Sequence, residues 1–372
     1  MKKLLILILI LFIAVGCKPT EDPILEPLVP YEGCEESTLE GGWVCTWADE
    51  FDGEEVDETK WNYEVNGYGG GNNELQYYTK ENASIVDGKL VITAIKESYL
   101  GKDYTSSRLN SKYKGDFTYG RLIVSAKLPS GVGTWPAIWM MPTMSLYGGW
   151  PKSGEIDIME YVGRDPNNVF STIHTEKFNH QLGTQIGYNT TVSNAETEFH
   201  TYEMIWNPGE IMTYVDGELL GTFKYSAAFN QEVAYNAAFP FDQDFYLILN
   251  LAMGGNLGGA VDPNFTETTF EIDYVRVYKY DYATIDEETP SNIEKLQIAQ
   301  LRNTVFWNPS TDDYGVEKYA IYVDGELYDY ANLNQYTFSR LTAGKSYQIQ
   351  VQAIDFVGNV SEMSSILSLT IV

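Results

Sequence analysis

Three carboxylates sit in the run Gly154-Glu155-Ile156-Asp157-Ile158-Met159-Glu160-Tyr161-Val162, whose other side chains are mostly apolar. Isolated acids normally face water, so their place inside an apolar strand points to chemistry. Side chains alternate along a strand, which puts Glu155 and Asp157 on one face and Ile156 and Ile158 on the other. Strict alternation leaves Glu160 on the wrong side. A one-residue bulge near Ile158-Met159 restores it, because a bulge sets two residues opposite one partner. All three acids then line one surface. Two carboxyls roughly 5–5.5 Å apart serve a retaining glycosidic cleavage, one as nucleophile and one as general acid and then base. Asp157, between them, would share a proton with one partner. A solvated edge strand is the plain alternative, but the flanking runs Thr134-Trp-Pro-Ala-Ile-Trp-Met-Met-Pro142 and Ser171-Thr-Ile-His-Thr175 are too apolar and aromatic for it.

The elements that must position these acids are strands. Leu90 to Ile95, Arg121 to Lys127, Met212 to Val215 and Phe245 to Leu251 are short apolar or alternating runs. Asp87-Gly88, Asp216-Gly217 and Asp324-Gly325 are hairpin signals, since glycine tolerates the positive φ of a tight primed turn. Many strands at this spacing predict an all-β sandwich. Residues 282–292, with Asp286-Glu-Glu-Thr-Pro290, form a charged linker that no core would accept. In residues 293–372 Tyr347, Ile349, Val351 and Ala353 alternate onto one buried face, and Trp307 is placed to fill a second core.

The run GEIDIMEYVG, with TWPAIWMMP before it, resembles glycoside hydrolase family 16, and within it the laminarinase-like enzymes whose acidic motif carries an extra bulge residue. The resemblance spans residues 41–281. It recurs in GGGNNELQYYT (Gly69 to Thr79), SSRLNSK, YGRLIVSAKLPSG, FYLILNLAMGGN (Phe245 to Asn256) and FEIDYVRVYKY (Phe270 to Tyr280). It implies a concanavalin A-like jelly roll of two curved antiparallel sheets, with the glycan in the concave cleft. Glu155 is then the nucleophile, Asp157 the assisting residue and Glu160 the acid/base. Residues 293–372, through WNPSTDDYGVEKYAIYVDGELY and LTAGKSYQIQVQAIDFVGNVS, resemble a smaller fibronectin type III-like sandwich.

The same matching implies Asn73, Glu74 and Arg108 as sugar-hydroxyl partners, Trp135 and Trp139 as cleft indoles, and His174 as the histidine near the reacting centre. Sugars stack their C–H faces on open indoles, although core packing is an even alternative for either ring alone. Leu257 stands where laminarinase-type members often carry Trp, which removes one stacking platform. A structural calcium is implied at Glu50, the Gly88 carbonyl and Asp273; oxygen ligands from separate strands suit that ion. No cofactor is expected for catalysis.

The chain opens with Lys2-Lys3, an apolar run from Leu4 to Val15, and Gly16-Cys17. That is the layout of a secretory signal over residues 1–16, too short for a comfortable membrane span. Ala14-Val-Gly-Cys17 looks like a bacterial lipobox, so Cys17 is the expected lipidation site. The lipid would be the sole membrane contact, on the outer membrane at its periplasmic face or the cell surface. Residues 17–40, rich in Pro, Glu and Thr, read as a flexible tether. An exported compartment permits, without requiring, a bridge between Cys34 and Cys45. A net charge of −28 argues against a nucleic-acid partner; a neutral β-glucan fits better, and a monomer is expected. The leading expectation is endo-acting, retaining hydrolysis of β-1,3-glucosidic bonds in laminarin-type or mixed-linkage glucans. The rivals are an agarase- or carrageenase-type hydrolase, a transglycosylase and a non-catalytic glycan-capturing lipoprotein.

Overall fold

The structure is a computed structural model that describes residues 28–224, 235–281, 288–299, 303–312 and 315–372. The signal segment, Cys17 and most of the linker lie outside the described residues, as does the tether up to residue 27. Among the described residues no helix is long and apolar enough to cross a membrane.

Two sheets, antiparallel except for one parallel pair between Gln76–Tyr78 and Tyr104–Ser106, face one another, as the alternation predicts. One is seven-stranded, in the order Ile186–Thr191, Asn168–His174, Glu155–Tyr161, Thr134–Pro142, Phe245–Met253, Arg108–Asn110 and Asn62–Tyr63. The other is eleven-stranded and includes Trp43–Asp49, Lys89–Ile95, Gly120–Lys127, His200–Asn207 and Glu267–Tyr280. Between them lies one continuous apolar core that includes Trp61, Ile138, Ile156, Ile158, Met159, Trp206, Phe245 and Phe270. Each sheet presents its apolar side to that core, so the other side of the seven-stranded sheet is free to carry polar chemistry. The three Asp-Gly pairs close hairpins with both residues at positive φ, as a primed turn demands.

The tether expectation fails over its last part. Thr38–Leu39 pairs with Trp43–Val44 as a short strand, the Tyr31 N–H donates to the Cys45 carbonyl, and Cys34 is bridged to Cys45. Arg276 adds ion pairs to Glu36 and Glu50. A covalent closure and a buried guanidinium hold what composition alone assigns to a loose segment.

The C-terminal residues form a second, smaller sandwich of two sheets. One contains Gln297–Ile298, Thr304–Phe306 and Gln335–Thr337; the other runs Glu326–Ala331, Val316–Val323, Ser346–Asp355 and Leu367–Thr370. Trp307, Ile349, Val351 and Ala353 fill its core as expected, and Tyr347 packs at the margin.

Candidate active site

The acidic strand carries the bulge that its alternation requires. Against Thr134–Pro142 the register runs Trp139 to Asp157 and then Ile138 to Met159. Ile158 is therefore the extra residue against that strand, within the Ile158-Met159 step where the bulge is expected. Ile158 and Met159 both point into the core and Glu160 returns to the face of Glu155 and Asp157. On the other flank the Ser171 hydroxyl donates to the Asp157 carbonyl at 2.7 Å, which meets a main-chain group that the bulge leaves irregular.

All three acids line one small cavity of about 50 Å³ together with Glu74, Arg108, Trp135, Trp139 and Asn250. It adjoins a larger cavity of about 520 Å³, lined by Glu64, Tyr68, Arg108, Trp139, Trp150, Glu155 and His180. Glu155, Asp157 and His174 each place one oxygen or nitrogen within 4.8 Å of the others. His174 Nε2 lies 3.3 Å from Asp157 Oδ2.

Burial raises all three carboxyl pKa values. Glu155 is pushed up to about 8, first by desolvation and then by the Asp157 charge, against the pull of His174 and the Trp150 N–H. Glu160 is pushed up to about 7 by desolvation, with Glu155 adding and the Trp135 N–H opposing. Asp157 is raised well above the usual carboxylate range by its burial and by Glu160. Three acids this close titrate as one set, so the protons belong to the trio rather than to single residues. Raised values of this kind let the set retain a proton near neutral pH, which a general acid requires.

Two indoles orient the pair. Trp135 Nε1 donates to Glu160 Oε1 at 2.9 Å, and Trp150 Nε1 donates to Glu155 Oε2. Trp135 is otherwise buried against Val162 and Ala252, with Leu257 and Phe170 packed on the same cluster. It orients Glu160 while still lining the cleft cavity, and Leu257 packs on the same cluster. Trp139 faces the cleft as well. Trp135 and Trp139 need no bulge to share a side, since residues four apart on a strand already do.

Trp139 Nε1 donates to Asn250 Oδ1 at 2.7 Å, and Asn250 Nδ2 donates to the Tyr78 hydroxyl at 3.1 Å. The Tyr78 hydroxyl and Gln76 Nε2 both donate to Glu74 Oε2, at 3.0 and 2.6 Å. Arg108 lies over the Trp139 ring at 4.7 Å and pairs with Glu64 at 3.0 Å. Glu74 thus anchors the cleft floor. Gly70 is required above it, for a Cβ there would lie 2.1 Å from Glu74 Oε1.

Asn73 is displaced from its expected role: its side chain is exposed, donates to Asn256 Oδ1 at 2.9 Å and lines neither cavity, whereas Asn72 lines both. Alternation across a glycine loop gives no register, so the neighbouring asparagines cannot be told apart in sequence. The cleft also draws on Trp150, Asn250, Tyr78, Gln76 and His180, which the acidic motif does not announce. Only Trp150 carried a sequence signal, as an aromatic five residues before an acid.

Within the expected calcium set, Glu50 does not offer free oxygens. Glu50 Oε1 and Oε2 accept from Arg276 at 2.8 and 2.9 Å, and Glu50 Oε1 also accepts the Glu35 N–H. A guanidinium beside the site opposes a dication, so the Glu50 side chain reads as an ion-pair partner.

Residues 72–276 match the family described as Glycosyl hydrolases family 16. A beta-glucanase of Rhodothermus marinus is 46% identical over 256 residues, covering 67% of this chain and 89% of that protein. A glucan endo-1,3-beta-glucosidase of Cryptopygus antarcticus is 38% identical, covering 65% of this chain and 94% of the other. Among solved structures, the laminarinase of Rhodothermus marinus superposes with a TM-score of 0.62 at 48% identity, over 64% of this chain and 98% of its own. With the acids of its motif brought together on one cleft floor, the chain belongs to glycosyl hydrolase family 16.

Proposed function

We infer that the protein is an endo-acting, retaining hydrolase of β-1,3-glucosidic bonds in laminarin-type β-glucans. The observation that carries this is the bulge, which sets Glu160 beside Glu155 in a cleft, each held by an indole N–H. Glu155 attacks the anomeric carbon while Glu160 protonates the departing oxygen, forming a glycosyl-enzyme. Water, deprotonated by the same Glu160, then attacks that carbon, and two inversions give retention. Asp157 and His174, in contact behind Glu155, compensate the charge that Glu155 gains and loses.

The relatives named as glucanases support β-glucan as substrate. Mixed-linkage glucan is the finer alternative, with Leu257 limiting one subsite. A 36% identical keratan-sulfate endo-1,4-beta-galactosidase keeps a galactan hydrolase as a rival, and a 37% identical beta-1,3-glucan-binding protein represents the non-catalytic one. Intact paired acids with raised pKa values favour catalysis over capture. Incubation with laminarin, lichenan and agarose, with products sized over time, tests the reading. Long products appearing early from laminarin are expected; cleavage of agarose alone would overturn it.

Asn250 gives a further expectation. Asn250→Ala strips the half-buried Trp139 indole of its acceptor, and the lost hydrogen bond costs about 1 kcal/mol. The thermal midpoint should fall by roughly 2–4 °C, with KM for laminarin rising more than kcat falls. Unchanged values of both would show that Trp139 is held by other means.

The N-terminal segment is proposed as a signal and lipid anchor at Cys17, and the C-terminal sandwich as a fibronectin type III-like spacer on a monomeric enzyme. Its sheets of three and four strands support that last reading.

A further inference from the structure

Rings from two separate loops meet beside the nucleophile. Trp150 follows Gly148-Gly149 in a laced loop. The Ser153 hydroxyl donates to the Gly148 carbonyl at 2.7 Å and accepts the Tyr147 N–H at 3.0 Å, and the Lys152 N–H donates to the Gly149 carbonyl at 3.1 Å. Those bonds fix backbone and leave the indole to Glu155 and its ring neighbours. The His180 ring lies 5.0 Å from it at 35°, and the His174 ring 6.1 Å away at 54°.

His180 arrives on a well-ordered turn. Buried Asn179 donates from its amide to the Thr175 and Glu176 carbonyls, at 3.0 and 3.3 Å, and its side-chain oxygen accepts the Leu182 N–H at 3.1 Å. Lys152 and Glu176, paired at 2.9 Å, tie the two loops together. Both rings line the larger cavity with Glu155, Trp139 and Arg108. His180 is itself exposed, but partial desolvation and the neighbouring His174 hold its pKa below the usual histidine value, so near neutral pH the imidazole against Trp150 is neutral.

We propose that His180 is a positioning residue for the reaction: it presses on the Trp150 indole, keeps the indole N–H on Glu155, and completes the aromatic wall beside the nucleophile. This rests on the reading of Glu155 as nucleophile. The device is a ring clamp, so ring area at position 180 should matter more than polarity.

The test uses the full chain with His180→Ala, His180→Gln, His180→Phe and Trp150→Phe. Ala and Gln should lower kcat on laminarin about 10-fold, short of the roughly 10²-fold that a full ångström of misplacement can cost. KM should rise less, and Phe should restore kcat to within about twofold of wild type. Adding His180→Ala to Trp150→Phe should lower kcat little further, because the N–H it positions is already gone. The Trp150 indole proton, identified among the eight tryptophans by its loss in Trp150→Phe, should exchange slowly in wild type and His180→Phe and quickly in His180→Ala. Unchanged indole exchange in His180→Ala, or kcat losses that multiply in the double variant, would overturn the proposal. The indole proton is read without substrate, so a wild type inactive on laminarin would count against the glucanase reading and leave this result standing.

Discussion

Glu155→Ser is expected to lower kcat on laminarin by roughly 10⁴-fold or more, the scale on which losing a nucleophile stops a covalent mechanism, while laminari-oligosaccharide binding survives. Serine is too short to reach the anomeric carbon, and no other carboxylate on this strand occupies that place. The sugar-facing surface stays, since Trp139 remains bonded to Asn250 and stacked under Arg108. The variant should also relieve its neighbours. Glu155 is among the groups that raise the Glu160 pKa, so that carboxyl should move down in its absence. Calorimetry with a laminari-oligosaccharide and a rate assay on the same sample suffice. Near-normal turnover would remove Glu155 from the nucleophile role, and lost binding with an unchanged fold would make it a substrate anchor.

Glu160→Gln should lower kcat by roughly 10²–10⁴-fold, the usual share of general acid–base catalysis, and should change how stability depends on pH. A carboxyl whose pKa is higher folded than unfolded binds its proton more tightly in the native state. Between about pH 4.5, the ordinary glutamate value, and about 8, the value for Glu155, the native cluster therefore holds more protons than the unfolded chain. Wild-type stability should fall across that window as pH rises, and the penalty should be complete above it. Glu160→Gln removes one buried acid and one like-charge neighbour of Asp157. The variant should melt above wild type at pH 8, with the gap closing towards pH 4.5. A gap of constant size at both pH values would show that the gain comes from packing rather than ionisation. The alkaline limb of the wild-type kcat/KM profile should lie in the same window and be lost in the variant.

Much of this was legible before any coordinates. The period-two runs and the Asp-Gly turns specify antiparallel strands, because alternation fixes which face a side chain takes and only a primed turn accepts two positive φ values in a row. The oddity of Glu160 predicts a bulge from pleat geometry alone. The bulge falls at Ile158-Met159 as expected; only the register decides that Ile158 lacks the partner across Thr134–Pro142, because both residues are apolar. The tether was misread beyond Tyr31 because polar composition registers no disulfide and no ion pair to a residue some 240 positions away. Arg276 likewise claims Glu50, a partner no local pattern announces.

By itself the sequence determined the all-β class, the second sandwich, the placing of three acids on one strand and the face they share. These are local properties, written in spacing. The tertiary structure decided what surrounds those acids: the Trp150 and Trp135 donors, the Asn250–Tyr78–Glu74 chain beneath Trp139, and the burial that raises the carboxyl pKa values. Apart from Trp150, those partners come from other strands, and desolvation is a property of the closed cleft, so both arise only when the sheets pack.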